Sequence, residues 1–375
     1  MDKTVLLSAG GTGGHLFPAQ ALATALGKRG WTVELATDER ADQYGQVFPA
    51  RAVHIVSSET IRSKNPLALA RTGLKLFRGF LQASRVVKRI RPSVVVGFGG
   101  YPTFPPLAAA LRHSVPTILH EQNAVMGRAN RLLARGVSVI AKSFGETRGL
   151  EAYAGKAALT GNPLREAVIA AAETPYDAPS ANGALKLLVF GGSQGARFFS
   201  DLLPAALAET DADVRARIVL AQQCRPEDLE RVRAAYEGLG VQAELASFFG
   251  DLPARIAQSH LVVCRSGATS VCELAAIGRP SILVPLPHAL DQDQSANAAV
   301  LEHAGGAWPI AQKDLTPSRL AREITDLMTH PERLSQAAMA ARAQGRPDAV
   351  ERLADLVEHV AQGGSARDFD KGVRA

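Results

Sequence analysis

The chain has little from which to build covalent or metal cross-links. Its three cysteines, Cys224, Cys264 and Cys272, are widely spaced and form no C-x-x-C pair. That excludes a disulfide framework and a thiolate metal site, and they read as small buried apolar side chains in a reducing compartment. No uncharged apolar run is long enough to span a bilayer. No basic leader or cleavage site precedes the first strand-like run, Thr4–Ser8, so no signal peptide is expected. The chain therefore reads as cytosolic, or as bound to a membrane from its cytosolic side. Nucleic-acid motifs and interleaved aromatics are missing, which argues against a nucleic-acid partner. Acidic residues are absent from one long window: none lies between Glu59 and Glu121, where Arg62, Lys64, Arg71, Lys75, Arg78, Arg85, Lys88, Arg89, Arg91 and Arg112 all fall.

What is present is ordinary for a soluble globular protein, with 46% apolar and 21% charged residues and a net charge of +6. A length of 375 residues exceeds what one core normally serves, so two domains are expected. The acid-free window is also periodic, since Leu67, Leu69, Leu74, Leu76, Phe77, Phe80, Leu81, Val86, Val87 and Ile90 recur at roughly helical spacing. Such a basic amphipathic stretch, residues 62–91, suits anionic lipid headgroups. A helix packed on a sheet with a solvated basic face has the same pattern. The net charge fits an anionic partner without naming it.

Three glycine-rich loops each follow an apolar run: Gly10–Gly14 after Thr4–Ser8, Gly97–Gly100 after Ser93–Val96, and Gly191–Gly195 after Leu185–Phe190. Strand, glycines, then helix is how an open α/β sheet offers backbone N–H groups to an anion, with no Cβ in the way. Further strands are expected at Thr32–Thr37, Ala52–Ser57, Thr117–His120, Val137–Lys142, Ala157–Leu159, Ala216–Ala221, Ala243–Phe248, His260–Cys264 and Ser281–Pro285. Runs such as Val94–Val96 predict a parallel sheet covered on both faces. Helices are expected over Pro226–Glu237 and Ser270–Ala276. Glu173–Gly183 reads as a linker, and the polar Gly363–Ala375 is expected to be disordered. An NAD-dependent dehydrogenase fails on spacing. Asp38 lies in range, but the first loop is Gly-Gly-x-Gly-Gly and not G-x-G-x-x-G.

Six motifs then occur in order: Gly10-Gly11-Thr12-Gly13-Gly14-His15, Gly99-Gly100-Tyr101, His120-Glu121-Gln122-Asn123, Gly161-Asn162-Pro163-Leu164-Arg165, Gly191-Gly192-Ser193-Gln194-Gly195-Ala196 and Cys264-Arg265-Ser266-Gly267-Ala268. Together they closely resemble the MurG family of peptidoglycan N-acetylglucosaminyltransferases, over nearly the whole chain. The resemblance implies an α/β protein of the GT-B glycosyltransferase fold, two Rossmann-like domains with parallel sheets facing a central cleft. The domains would be 1–162 for acceptor and membrane and 163–342 for UDP-GlcNAc, with a helix at about 343–362 packed back on the first. It implies inverting transfer of GlcNAc from UDP-GlcNAc to the 4-hydroxyl of MurNAc in lipid I, giving lipid II and UDP. No obligatory metal or other cofactor is implied. The family works peripherally on the cytoplasmic face of the inner membrane, with other cell-wall or division proteins as further partners.

The same resemblance suggests roles for particular residues. His15 is the candidate base, its ordinary pKa suiting proton transfer near neutrality, or else a histidine bonded to its own loop. Glu121 is an alternative base or an orienting partner. Thr12, Gly13 and Gly14 would lie against the donor sugar and the acceptor diphosphate, and Asn123 against sugar. On the donor side, Ser193 would touch phosphate, Arg165 the nucleotide-sugar, and Phe249 would read uracil through its backbone. Ala268, Thr269, Ser270, Val271, Cys272 and Glu273 would wall the nucleotide. Glu273 would pair with the ribose diol, or else be a carboxylate answering the helix dipole. Gln294 is favoured over Gln292 as the GlcNAc contact. Another UDP-sugar enzyme of the same fold, such as a glycolipid glycosyltransferase or a UDP-GlcNAc 2-epimerase, would share much of the donor site. So would a non-catalytic nucleotide-sugar-binding protein.

Overall fold

The computed structural model describes residues 3–10, 13–39, 48–60, 65–180, 182–192, 195–287 and 292–372. The first elements are β1 (Thr4–Ser8), α1 (Gly13–Lys28), β2 (Thr32–Thr37), β3 (Ala52–Ile55), α2 (Pro66–Ile90) and β4 (Val94–Gly97). Next come α3 (Phe104–Arg112), β5 (Thr117–Glu121), α4 (Arg128–Ala134), β6 (Val139–Lys142) and β7 (Ala157–Leu159). The middle of the chain holds α5 (Glu166–Ala172), β8 (Leu185–Phe190), α6 (Arg197–Ala208), α7 (Ala212–Arg215), β9 (Ile218–Gln223), α8 (Leu229–Gly238) and β10 (Ala243–Ala246). It continues with α9 (Leu252–Gln258), β11 (Leu261–Cys264), α10 (Ala268–Ile277), β12 (Ser281–Leu283), α11 (Asp293–Ala304) and β13 (Ala307–Pro309). Helices α12 (Pro317–Thr329), α13 (Pro331–Ala343), α14 (Ala349–Ala361) and α15 (Ala366–Gly372) complete the described chain.

Two compact units result: residues 1–165 with 348–375, and residues 166–347. The divisions thus fall after Arg165 and after Pro347. The sheets run β3-β2-β1-β4-β5-β6-β7 and β10-β9-β8-β11-β12-β13, with every pairing parallel. From their third strand outward the two orders repeat one another, so the halves share a Rossmann-like plan that their sequences do not display.

The period of two along a strand explains why such runs are apolar throughout. In the first unit Val5, Leu7, Val94, Val96 and Ile118 face one core, with Leu22 and Leu26 of α1 and Leu353, Leu356, Val357 and Val360 of α14. Leu6, Val95 and Leu119 face the other, with Leu107 of α3, Leu133 of α4 and Ala83 and Val87 of α2. Helix α14 is also held by charge: Arg29 pairs with Glu351, Asp355 and Glu358, and the Trp31 indole donates to Glu358 at 2.9 Å.

Helix α2 starts on Asn65, whose side chain accepts from Leu67 N at 2.9 Å, followed by Pro66 in the first turn. It ends on Arg91 in the left-handed region, φ 47°. Thr72, Ala83 and Val87 are buried. Gly79 lets the helix approach closely, since a Cβ there would stand 2.0 Å from the Ser57 carbonyl oxygen. Leu67, Leu74 and Phe77 are 82%, 70% and 58% exposed on the opposite side. Arg62 and Lys64 of the expected basic stretch lie outside the described residues. No described helix is long and apolar enough to cross a membrane.

Two expectations need correction. The tail read as disordered carries α15, because Ala366 and Phe369 are buried and the Phe369 ring lies 5.8 Å from that of His359. Polar neighbours hid this i, i+3 pair. Strand β13 was not expected; its three residues, Ala-Trp-Pro, are too few to show a period, and Pro309 is tolerated because the strand lies at a sheet edge. The linker after α5 contains no described helix or strand, yet Arg279 ties it down by donating to the carbonyls of Thr174, Pro175 and Ala257.

Candidate active site

In a doubly wound sheet, ligands collect at the carboxyl ends of the two central strands whose connections leave in opposite directions. Here those pairs are β1 with β4 and β8 with β11. The described residues of the three glycine-rich loops lie at these points, and so does the Arg265–Gly267 turn after β11.

In the first unit, Gly13 and Gly14 form the opening of α1, while Thr12 lies outside the described residues. His15 is half-buried in the same turn. Its ring lies against the β4 loop: a Cβ on Gly99 would come within 3.4 Å of His15 Nε2, and one on Gly100 within 3.5 Å of Cε1. Both glycines have positive φ, 87° and 76°. The imidazole is therefore seated on backbone that only glycine provides.

Glu121 ends β5 with its carboxylate buried. The oxygens accept from Asn123 N at 3.0 Å, Gly127 N at 2.9 Å and Asn130 Nδ2 at 2.7 Å. Burial pushes this carboxyl up, while the donated hydrogen bonds pull it down. Such a group holds the 121–130 loop in shape, Asn123 included, and its oxygens already serve as acceptors. His120 precedes it and is wholly buried; Nε2 donates to the Gly161 carbonyl at 3.1 Å and the ring packs 5.4 Å from that of Phe98. Burial pushes His120 down to about 4, so it is neutral near pH 7. The Arg165 guanidinium lies 4.5 Å from the Phe17 ring centre.

In the second unit, Ser193 lies outside the described residues, but Gly191 N is fixed by Gln223 Oε1 at 3.1 Å. Helix α10 begins at Ala268 on an N-cap glycine, Gly267, with no side-chain cap. A helix that opens on glycine leaves its first N–H groups with no acceptor from the cap residue, an opening of the kind that suits an anion. Ala268 and Val271 are buried, whereas Thr269, Ser270 and Cys272 are half-buried, so the expectation of a fully buried Cys272 does not hold. Glu273 is 4% exposed in the second turn. The helix starts two residues before the expected Ser270. A dipole effect fades beyond the first turn, so that alternative for Glu273 loses its basis.

Phe249 is buried, and the Arg255 guanidinium covers its ring at 4.3 Å. Gln294 stands beside the α10 loop: its carbonyl accepts from Ser266 Oγ at 2.9 Å and its Oε1 from Leu286 N at 3.0 Å. Gln292 is exposed and left-handed, φ 56°. Buried Arg265 braces the turn, donating to Val284 O at 3.1 Å and Gln312 Oε1 at 2.6 Å. The bracing residues His120, Asn130, Gln223 and Arg265 received no role from sequence, because only the fold shows which loops they join.

Two Rossmann-like units with anion-ready loops at both switch points define a GT-B glycosyltransferase fold. The chain belongs to glycosyltransferase family 28, matching its N-terminal domain over residues 5–141 and its C-terminal domain over residues 186–353. A relative from Rhodopseudomonas palustris (strain ATCC BAA-98 / CGA009), named UDP-N-acetylglucosamine–N-acetylmuramyl-(pentapeptide) pyrophosphoryl-undecaprenol N-acetylglucosamine transferase, is 57% identical, over 96% of this chain and 98% of its own. A relative of the same name from Chelativorans sp. (strain BNC1) is 53% identical over 98% of each chain. The crystal structure of Acinetobacter baumannii MurG is similar with a TM-score of 0.77 at 30% identity, covering 95% of this chain and 99% of that one.

Proposed function

We propose that this chain transfers GlcNAc from UDP-GlcNAc to the 4-hydroxyl of MurNAc in undecaprenyl-pyrophosphoryl-MurNAc-pentapeptide, with inversion, forming lipid II and UDP for peptidoglycan synthesis. The observation that carries this reading is identity of 53–57% to enzymes of that name along nearly the full chain.

In the proposed step His15 takes the proton of the acceptor hydroxyl as that oxygen bonds to the anomeric carbon. The bond from that carbon to the diphosphate oxygen breaks, and UDP departs with the electron pair. Glu121, whose oxygens accept from N–H donors of its own loop, is taken as the orienting residue that keeps that loop and Asn123 in place. Charge on the leaving diphosphate is met by the α10 N-terminus, the Gly191–Gly195 loop and Ser193, with no metal assigned. Glu273 receives the ribose diol, the Phe249 backbone the uracil, Arg165 the nucleotide-sugar and Gln294 the GlcNAc. Thr12, Gly13 and Gly14 meet the acceptor.

The enzyme acts peripherally on the cytoplasmic face of the inner membrane. Exposed Leu67, Leu74 and Phe77 enter the lipid, and Arg71, Arg78, Arg85 and Lys88, exposed on the same helix, meet anionic headgroups. The test of the chemical step is His15→Ala, which should cut turnover at least a hundredfold while UDP-GlcNAc affinity stays within about twofold. Unchanged turnover removes His15 as the base.

A further inference from the structure

Gln223 is the last residue of β9, which lies between β8 and β10 at the carboxyl edge of the second sheet. The residue is 5% exposed, and both ends of its amide are engaged across that edge. Oε1 accepts from Gly191 N at 3.1 Å, where the loop after β8 begins. Nε2 donates to the Ser247 carbonyl at 3.2 Å, immediately after β10 and two residues before Phe249. The first of these loops is tightly packed where it leaves β8. A Cβ on Gly191 would sit 2.4 Å from Ala196 N, and Gly192 is left-handed with φ 88°. The second is tied to the same strand end by Cys224 N donating to the Ala246 carbonyl at 3.0 Å. One side chain thus sets the separation of two loops that the chain places more than fifty residues apart.

We propose that Gln223 is a positioning residue that fixes the span between the diphosphate loop and the base-reading segment, so that a pyrimidine nucleoside diphosphate is bound as one ligand and not as two fragments. This rests on the donor-site reading of residues 191–273 given above. An amide suits the task because it accepts at one end and donates at the other. Glutamate keeps the acceptor toward Gly191 but sets a carboxylate against the Ser247 carbonyl, and methionine keeps the length while removing both bonds.

The test uses the full chain as wild type, Gln223→Met and Gln223→Glu, with thermal melts to establish folding. Affinities for UDP, ADP, uridine and inorganic pyrophosphate are measured by calorimetry or competition, alongside kcat and KM for UDP-GlcNAc. In Gln223→Met, UDP affinity should fall at least tenfold while uridine and pyrophosphate each change less than threefold. The preference for UDP over ADP should narrow, KM should rise in step with the UDP loss, and kcat should stay within threefold. Gln223→Glu should fall between, and it carries the test if the methionine variant does not fold. Wild-type UDP affinity in both variants overturns the proposal, as does an equal loss for UDP and its fragments, which marks collapse of the loop. A wild-type chain that fails to bind UDP at all overturns the donor-site reading instead.

Discussion

His120 allows a quantitative check on the first unit. Its ring is wholly buried, donates through Nε2 to the Gly161 carbonyl, and is pushed down to about 4 by burial. In the unfolded chain the same ring titrates near 6.5. Between those values the unfolded chain binds a proton that the folded chain refuses, so stability is full above pH 6.5 and falls as pH drops toward 4. Over the whole window the loss is about 3 kcal/mol, of which about 2 kcal/mol is reached by pH 5. The two tryptophans fall one in each unit, Trp31 and Trp308. A Trp308→Phe background therefore makes Trp31 fluorescence a reporter of the first unit alone. Urea unfolding in that background at pH 7.5 and pH 5 should show the loss, and adding His120→Gln should remove about 2 kcal/mol of it. The same pH slope with and without His120 would refute the claim that a neutral buried imidazole supports this loop.

Other substitutions test other parts of the account. Glu121→Gln replaces one acceptor of a buried carboxylate that several N–H donors share and should lower first-unit stability by about 1–3 kcal/mol, read by Trp31, while UDP affinity stays at the wild-type value; a gain in stability contradicts the bracing role. Glu273→Ala should weaken UDP binding at least tenfold by calorimetry, and equal affinity refutes the ribose assignment. Leu74→Asp with Phe77→Asp should abolish co-sedimentation with vesicles rich in phosphatidylglycerol without changing the melting profile, and retained binding shows that α2 is not the membrane face.

Much of the fold was legible because buried parallel strands carry continuous apolar runs: β1, β2, β7 and β8 fall at their expected bounds. Elements too short or too polar to show a period were not legible. Strand β13 is three residues ending in proline, and α15 is anchored by Phe369 amid polar neighbours. The glycine loops were visible as motifs, since a phosphate-facing turn restricts the residue type. What braces them was not, because Gln223 joins loops on different strands and Glu121 gathers donors from Asn123, Gly127 and Asn130. A lone glutamine or glutamate carries no mark of such partners. Nor could the sequence separate a solvated basic helix from one with an apolar exposed stripe; the exposure of Leu67, Leu74 and Phe77 required the packing of Gly79 on Ser57.

Glycosyl transfer itself is read by following radiolabelled GlcNAc from UDP-GlcNAc to a short-chain lipid I analogue, with UDP release measured in parallel. A labelled disaccharide lipid should form, with one UDP released per sugar transferred. UDP-GlcNAc binding with no labelled lipid formed would contradict it.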